Sequence, residues 1–151
     1  IRRISMEDIK IFNGEYLKEC SKIYPSIFNE EPWSESWTED VAYKRLKEVY
    51  DTPNFFGIAY IKNGVIIGGI LGNIEHWDIG KKYILKEFFI DTRCQGNEVS
   101  SKMLGALEER LSELSVRTIE LNTLRGKSTE GFYCKNGYKT NKDMIVMEKI
   151  I

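Results

Sequence analysis

One stretch limits the possible folds of this chain more than any other. Around residues 86–104 the apolar pattern changes period, from the strand-like run Phe88, Phe89, Ile90 to Val99, Met103, Leu104, Leu107, Leu111 and Leu114 at helical spacing. A short polar turn containing Gly96 separates the two. The pattern predicts a strand–loop–helix unit, and the first amides of such a helix have no partner within it and carry the positive end of its dipole. That makes the loop a place where backbone alone can hold a phosphate. Strand–turn–helix connections are common in α/β proteins, so an ordinary structural connection explains the stretch as well.

Before this unit, residues 1–4 suit a short first strand, with Ser5 and Asp8 available to cap the next element. Over 9–28, Ile9, Phe12, Tyr16, Leu17, Cys20, Ile23, Tyr24 and Ile27 keep a helical period, weakened by Gly14 and bent by Pro25. The segment 29–40 holds Glu30, Glu31, Glu35, Glu39 and Asp40 with no basic residue, together with Pro32, Trp33 and Trp37. It reads as a loop up to Thr38, a helix N-cap, from which a second helix runs to about Tyr50.

Strands come next. Asn63-Gly64 between two apolar runs, 55–62 and 65–73, predicts a hairpin on a type I′ turn, with a loop at 75–80 and a further strand over 81–91. After the helix come a buried strand over 118–122 on Ile119 and Leu121, a short helix from Ser128 or Thr129 to about Lys135, a turn at Asn136-Gly137, and a closing strand pair at 138–139 and 144–150. Hairpins combined with one βαβ crossover make a mixed sheet, hence an α/β fold with helices on its faces. The 151 residues suit a single domain over 1–151 with a proper core.

Composition narrows the function. A formal net charge of −1 argues against a nucleic-acid partner, which needs a clustered basic surface. No apolar run approaches the roughly 20 residues of a membrane span, and the start of the sequence lacks a signal-peptide core. Cys20, Cys94 and Cys134 read as free thiols in a reducing compartment, the cytoplasm, and with the lone His76 they match no metal-ligand spacing. No metal is expected.

The element order, the turn-helix Gln95-Gly96-Asn97-Glu98-Val99-Ser100-Ser101-Lys102-Met103-Leu104 and the late segment Gly131-Phe132-Tyr133-Cys134-Lys135-Asn136-Gly137-Tyr138 together resemble the GCN5-related N-acetyltransferases (GNAT). The resemblance implies a GNAT-like acyl-CoA N-acyltransferase fold: a mostly antiparallel central sheet with one splayed parallel pair and helices on both faces. It also implies acetyl-CoA as co-substrate.

The family's cofactor loop reads Gln or Arg, two residues, Gly, one residue, Gly or Ala. A register from Arg93 matches Gly96 but puts Ser101-Lys102 where the helix should be apolar, whereas one from Gln95 places Met103-Leu104 correctly and sets Glu98 and Ser100 in the glycine positions. The second is preferred, because the core face of a helix costs more to violate than a loop residue. A Glu98 side chain in solvent leaves the amides usable; one pointing inward opposes a diphosphate.

By the same resemblance, the cofactor contacts fall on Phe88, Phe89, Ile90, Gln95, Gly96, Asn97, Glu98, Val99, Ser100 and Ser101, with the Ile90 N–H a candidate to polarise the thioester oxygen. A buried strand accounts equally for Phe88 to Ile90. Tyr133 corresponds to the family's general acid for the departing thiolate, and a phenol is protonated at neutral pH. The proton acceptor for the amine is Glu87, Glu75 or Asp78, none selected by the sequence, with Glu87 carried forward beside Tyr133 as catalytic. Glu31, Trp33, Trp37, Glu75 and Trp77, with His76 nearby, fall where an acceptor wall would hold a cationic amine by charge and cation–π contact. Trp33 and Trp37 also suit packing under a helix start.

The implied activity is direct acetyl transfer to a primary amine of a small, cationic acceptor of the aminoglycoside type. The expected partner is that small molecule, with no nucleic acid or membrane and a homodimer left open. The rival is a GNAT-fold binding or sensor module with a relaxed cofactor loop.

Overall fold

The computed structural model describes residues 6–151, the side chain of Asn97 excepted. The strand expected over 1–4 lies outside them. In order, the elements are β1 (Glu7–Ile11), α1 (Leu17–Phe28), α2 (Glu39–Tyr50), β2 (Phe55–Lys62), β3 (Val65–Trp77), β4 (Gly80–Ile90), α3 (Asn97–Glu113), β5 (Val116–Leu121) and α4 (Thr129–Lys135). The five strands form one sheet in the order β1-β2-β3-β4-β5, antiparallel except for the β4–β5 pair. The mixed sheet expected from the sequence is therefore correct.

Two core clusters lie on opposite faces of this sheet. The alternating direction of strand side chains sends Ala59, Leu71 and Phe89 to the α1–α2 face, and their neighbours Ile58, Ile70 and Ile90 to the α3 face. On the first face α1 buries Leu17, Cys20, Tyr24, Ile27 and Phe28, and α2 buries Ala42, Leu46 and Val49. On the second, α3 buries Met103, Leu104, Leu107 and Leu111. Each buried Leu, Ile, Val, Phe or Met among them contributes roughly 1.5–3 kcal/mol of transfer free energy.

Local chemistry sets several boundaries as expected. Thr38 Oγ1 accepts from the Val41 N–H at 3.2 Å, the N-cap of α2. Asn63 and Gly64 take φ values of 52° and 79°, as a type I′ hairpin requires.

Three expectations need correction. Residues 9–11, expected to open a helix, belong instead to β1, because Ile9 and Ile11 also fit a period of two and the free edge of β2 supplies a ladder from Glu7↔Lys62 to Ile11↔Ile58. The helix begins at Leu17, after Asn13 caps a short 3₁₀ turn by accepting from the Glu15 N–H. Residues 75–77 continue β3 instead of forming a loop, paired with Lys82, Lys81 and Gly80.

Third, residues 138–139 and 144–150 form no strands. They join no ladder among the described residues, since β propensity gives no strand where no neighbour accepts the hydrogen bonds.

Candidate functional site

The site begins with an irregularity in the sheet. Opposite Leu71 and Gly72 the β3–β4 register jumps from Glu87 to Leu85, so Lys86 is an extra residue on β4. The parallel pairing of β4 with β5 ends at the same level, at Leu85↔Leu121. Beyond it β4 continues to Ile90 while β5 stops, and the two strands part. The Asp91 N–H donates to the Ile67 carbonyl at 2.6 Å. By strand alternation the Phe89 and Glu87 amides also face β3, while those of Phe88 and Ile90 face the opening. The Ile90 carbonyl points the same way and accepts from Gln95 Nε2 at 3.2 Å.

The chain then turns through a 3₁₀ segment, Thr92–Cys94, clamped by Asp91. Asp91 Oδ1 accepts from the Arg93 backbone N–H at 3.0 Å, and its carboxylate takes Arg93 Nη2 at 2.7 Å and Nε at 3.2 Å. The guanidinium holds the Asp91 carboxyl below the usual carboxylate range. Gly96 is the N-cap of α3, and its carbonyl accepts from the Ser100 N–H, so the three preceding helical amides have no acceptor within the helix. The Gly96 φ of 173° is extended backbone open to any residue, and a Cβ there would meet no atom within 4 Å. Its missing side chain keeps space open.

Glu98 is exposed in the first turn of α3, where an acid complements the helix dipole. Met103 and Leu104 face the core, and Lys102 reaches Glu7 at 3.3 Å. That is the placement a register starting at Gln95 requires.

Parting strands, turn and helices enclose a cleft of about 680 Å³. Of the residues read as cofactor contacts, Phe88, Phe89, Ile90, Gln95, Gly96 and Ser100 line it, while the side chains of Glu98, Val99 and Ser101 do not. Glu87 lies in its floor, 7% exposed; Oε2 accepts from the Tyr24 hydroxyl and Oε1 from Arg45 Nε, each at 2.9 Å. Burial raises the Glu87 carboxyl pKa, and the two hydrogen bonds offset only part of that rise.

Tyr133 lines the opposite wall from α4, ringed by Phe132 at 5.2 Å and Tyr138 at 5.5 Å between centroids. Burial pushes its phenol up to about 12, so it remains a proton donor at neutral pH.

At the other end Trp33, Glu35 and Trp37 border the cleft. Both tryptophans also pack against α1, Trp33 on Phe28 at 5.5 Å and Trp37 edge-on to Tyr24 at 4.9 Å, while the Trp37 indole N–H donates to Glu35 Oε1 at 3.0 Å. Glu31 is exposed and off the lining. Glu75, His76, Trp77 and Asp78 sit at the far end of the β3–β4 hairpin, also off it; Trp77 donates to Glu75 and carries Lys82 Nζ 4.7 Å above its ring. Sequence reasoning missed Tyr24, Arg45, Asn122 and Thr123. Tyr24 and Arg45 sit in helical patterns indistinguishable from a core face, and only the fold brings them to Glu87.

Comparison with known proteins gives the family. No curated protein matches the sequence. Among solved structures the chain is similar to the aminoglycoside N-acetyltransferase AAC(6')-Iy in complex with CoA, at 16% identity and a TM-score of 0.75, covering 99% of this chain and 98% of that one. The same enzyme with the bisubstrate analogue CoA-S-monomethyl-acetylneamine gives 15% and 0.72, with 97% and 99% covered. A possible acetyltransferase from Clostridium difficile 630 gives 14% and 0.78, with 97% and 99% covered. At such identities the likeness shows the fold. The family model of the acetyltransferase (GNAT) domain matches residues 15–151, which span the cleft and every element around it, and the chain belongs to that family of acetyltransferases.

Proposed function

We propose that the protein transfers the acetyl group of acetyl-CoA directly to a primary amine of a small cationic acceptor, with no acetyl-enzyme between, and that the chain acts as one transferase domain. The observation that carries this reading is the meeting, in one cleft, of the open β4 edge, the amino end of α3 and the Tyr133 ring. A diphosphate needs convergent N–H donors, which the first turn of α3 offers, and the bare Gly96 leaves it room. The amides of a pantetheine arm need strand-like partners, which Phe88 and Ile90 present where β5 has turned away.

Acetyl-CoA supplies the activated acyl carbon and a thiol leaving group. In this reading the Ile90 N–H stabilises charge on the acyl oxygen. Glu87, kept in place by Arg45 and Tyr24, takes up the proton that an ammonium acceptor sheds, directly or through water. As the new N–C bond forms and the C–S bond breaks, Tyr133 gives its proton to the sulfur. Glu35, Trp33 and Trp37 favour a cationic acceptor at the cleft mouth, and the AAC(6')-Iy complex with an acetylneamine analogue supports an aminoglycoside-like amine.

A panel of amines assayed for release of free CoA thiol tests this reading. Polycationic primary amines should give saturable release, and Trp33→Ala should raise KM for the amine while leaving that for acetyl-CoA unchanged. Release no faster than acetyl-CoA hydrolysis with every amine would refute it.

A further inference from the structure

Glu87 occupies a site that disfavours its charged form. It is buried in the cleft floor, and that burial is the largest influence on its carboxyl, favouring the neutral acid. A neutral acid cannot take up a proton. What offsets burial comes from two helices, one carboxylate oxygen each: Tyr24 on α1 donates its hydroxyl to Oε2, and Arg45 on α2 donates from Nε to Oε1, both at 2.9 Å. The other groups around it do not help. Glu35, from the loop between the two helices, opposes ionisation by its like charge, while Lys86 and Tyr133 line the cleft without a described bond to Glu87.

The two donors are built for this contact. The Tyr24 ring packs on Phe28 at 4.5 Å, Trp37 at 4.9 Å and Phe89 at 5.9 Å, contacts a phenylalanine would keep, so the described work of its hydroxyl is the bond to Glu87. Burial holds its phenol above the usual range, and it stays protonated at neutral pH. Arg45 is partly exposed and has a second carboxylate in reach, Glu48 Oε1 at 3.8 Å from Nη1, yet its Nε turns inward to the shorter bond. A guanidinium keeps its charge at any working pH. Neither group gives up a proton, so their part in the chemistry is orientation and charge.

We infer that, given the acetyl transfer proposed above, Tyr24 and Arg45 are positioning residues of the reaction that act through Glu87: Arg45 supplies the counter-charge that lets a buried carboxyl stand ionised, and Tyr24 fixes Oε2 so that the remaining lone pairs are left for the proton of the amine. The base is then a three-residue unit assembled from α1, α2 and β4, and its readiness depends on both helices keeping their place on the sheet.

Two readouts test this, one of them without acetyl-CoA. Carbon-13 NMR of the glutamate carboxyls in the free chain, with the Glu87 signal assigned by its loss in Glu87→Gln, follows ionisation directly. Tyr24→Phe and Arg45→Met should each move the Glu87 titration to higher pH, Arg45→Met further. In the amine assay the acid limb of kcat/KM should move with it, so that Arg45→Met loses about tenfold or more at pH 7 and recovers at alkaline pH, with KM for acetyl-CoA unchanged. In a Glu87→Gln background Tyr24→Phe should lower kcat no further, whereas a purely structural contact lowers it in both backgrounds. Arg45→Met strips a buried carboxylate of its partner; should it fail to fold, Tyr24→Phe carries the test alone. A Glu87 titration unmoved in Tyr24→Phe or in folded Arg45→Met, or a Tyr24→Phe loss that persists beside Glu87→Gln, would overturn the inference. Absence of CoA release from the wild type with every amine would instead refute the acetyl-transfer reading, and the titration alone would still report whether the two helices set the charge of Glu87.

Discussion

Tyr133 and Gly96 separate chemistry from architecture at the level of single residues. Tyr133 donates no described hydrogen bond and rests on ring contacts that phenylalanine preserves. Tyr133→Phe should therefore keep the melting temperature while lowering kcat by about 10²-fold or more, the usual share of a general acid. A kcat within a factor of two of wild type removes the phenol from the mechanism. Gly96 has an extended φ and free space around the missing Cβ. We expect Gly96→Ala to leave stability unchanged and to raise the Kd for acetyl-CoA, since its methyl group enters the cleft beside the amides of α3. Glu98, exposed and outside the cleft lining, should be nearly neutral toward the cofactor when changed to Gln, and a marked tightening would mean its carboxylate opposes the diphosphate.

Among the elements, legibility depends on the locality of the forces. The hairpin at Asn63-Gly64, the Thr38 cap of α2 and the apolar stripe of α3 are each set by residues close in sequence, and they appear where the sequence puts them. The end of β1, residues 9–11, reads as helix in the sequence because so short a stretch satisfies two periods at once and a distant edge decides between them. The bulge at Lys86, which creates the cleft, has no signature on β4 itself. Its trace is on β3, where Gly72 approaches β4 so closely that a Cβ would strike the Ile84 carbonyl oxygen and the Tyr83 ring. Gly72→Ala should cost about 1–3 kcal/mol by overpacking, read by denaturant unfolding, and should also weaken acetyl-CoA binding, because β4 must shift. The Glu87–Tyr24–Arg45 group is hidden for the same reason, its members being 63 and 42 residues apart.

Five tyrosines across the whole molecule, Tyr24, Tyr60, Tyr83, Tyr133 and Tyr138, have pKa values raised above the phenol norm, burial being the first cause in each. Tyr60 and Tyr133 reach about 12. The folded state then holds these protons more tightly than the unfolded chain, whose phenols titrate near pH 10. Stability from this source is complete below about pH 10 and is lost as pH rises toward 12. Spectrophotometric titration should show these five phenols still protonated at pH 10 and released together on alkaline unfolding. Eight phenols titrating near pH 10 in the folded protein would contradict the burial of these five rings.

The central claim is that the cleft where β4 and β5 part holds acetyl-CoA through backbone amides, although the loop carries glutamate and serine at two positions where glycine is usual. Isothermal titration of the full chain with acetyl-CoA tests it most directly. The expected result is one saturable site per chain with Kd on the order of micromolar, weakened in Gly96→Ala. No detectable heat or competition up to millimolar acetyl-CoA would contradict it and leave a GNAT fold without its cofactor.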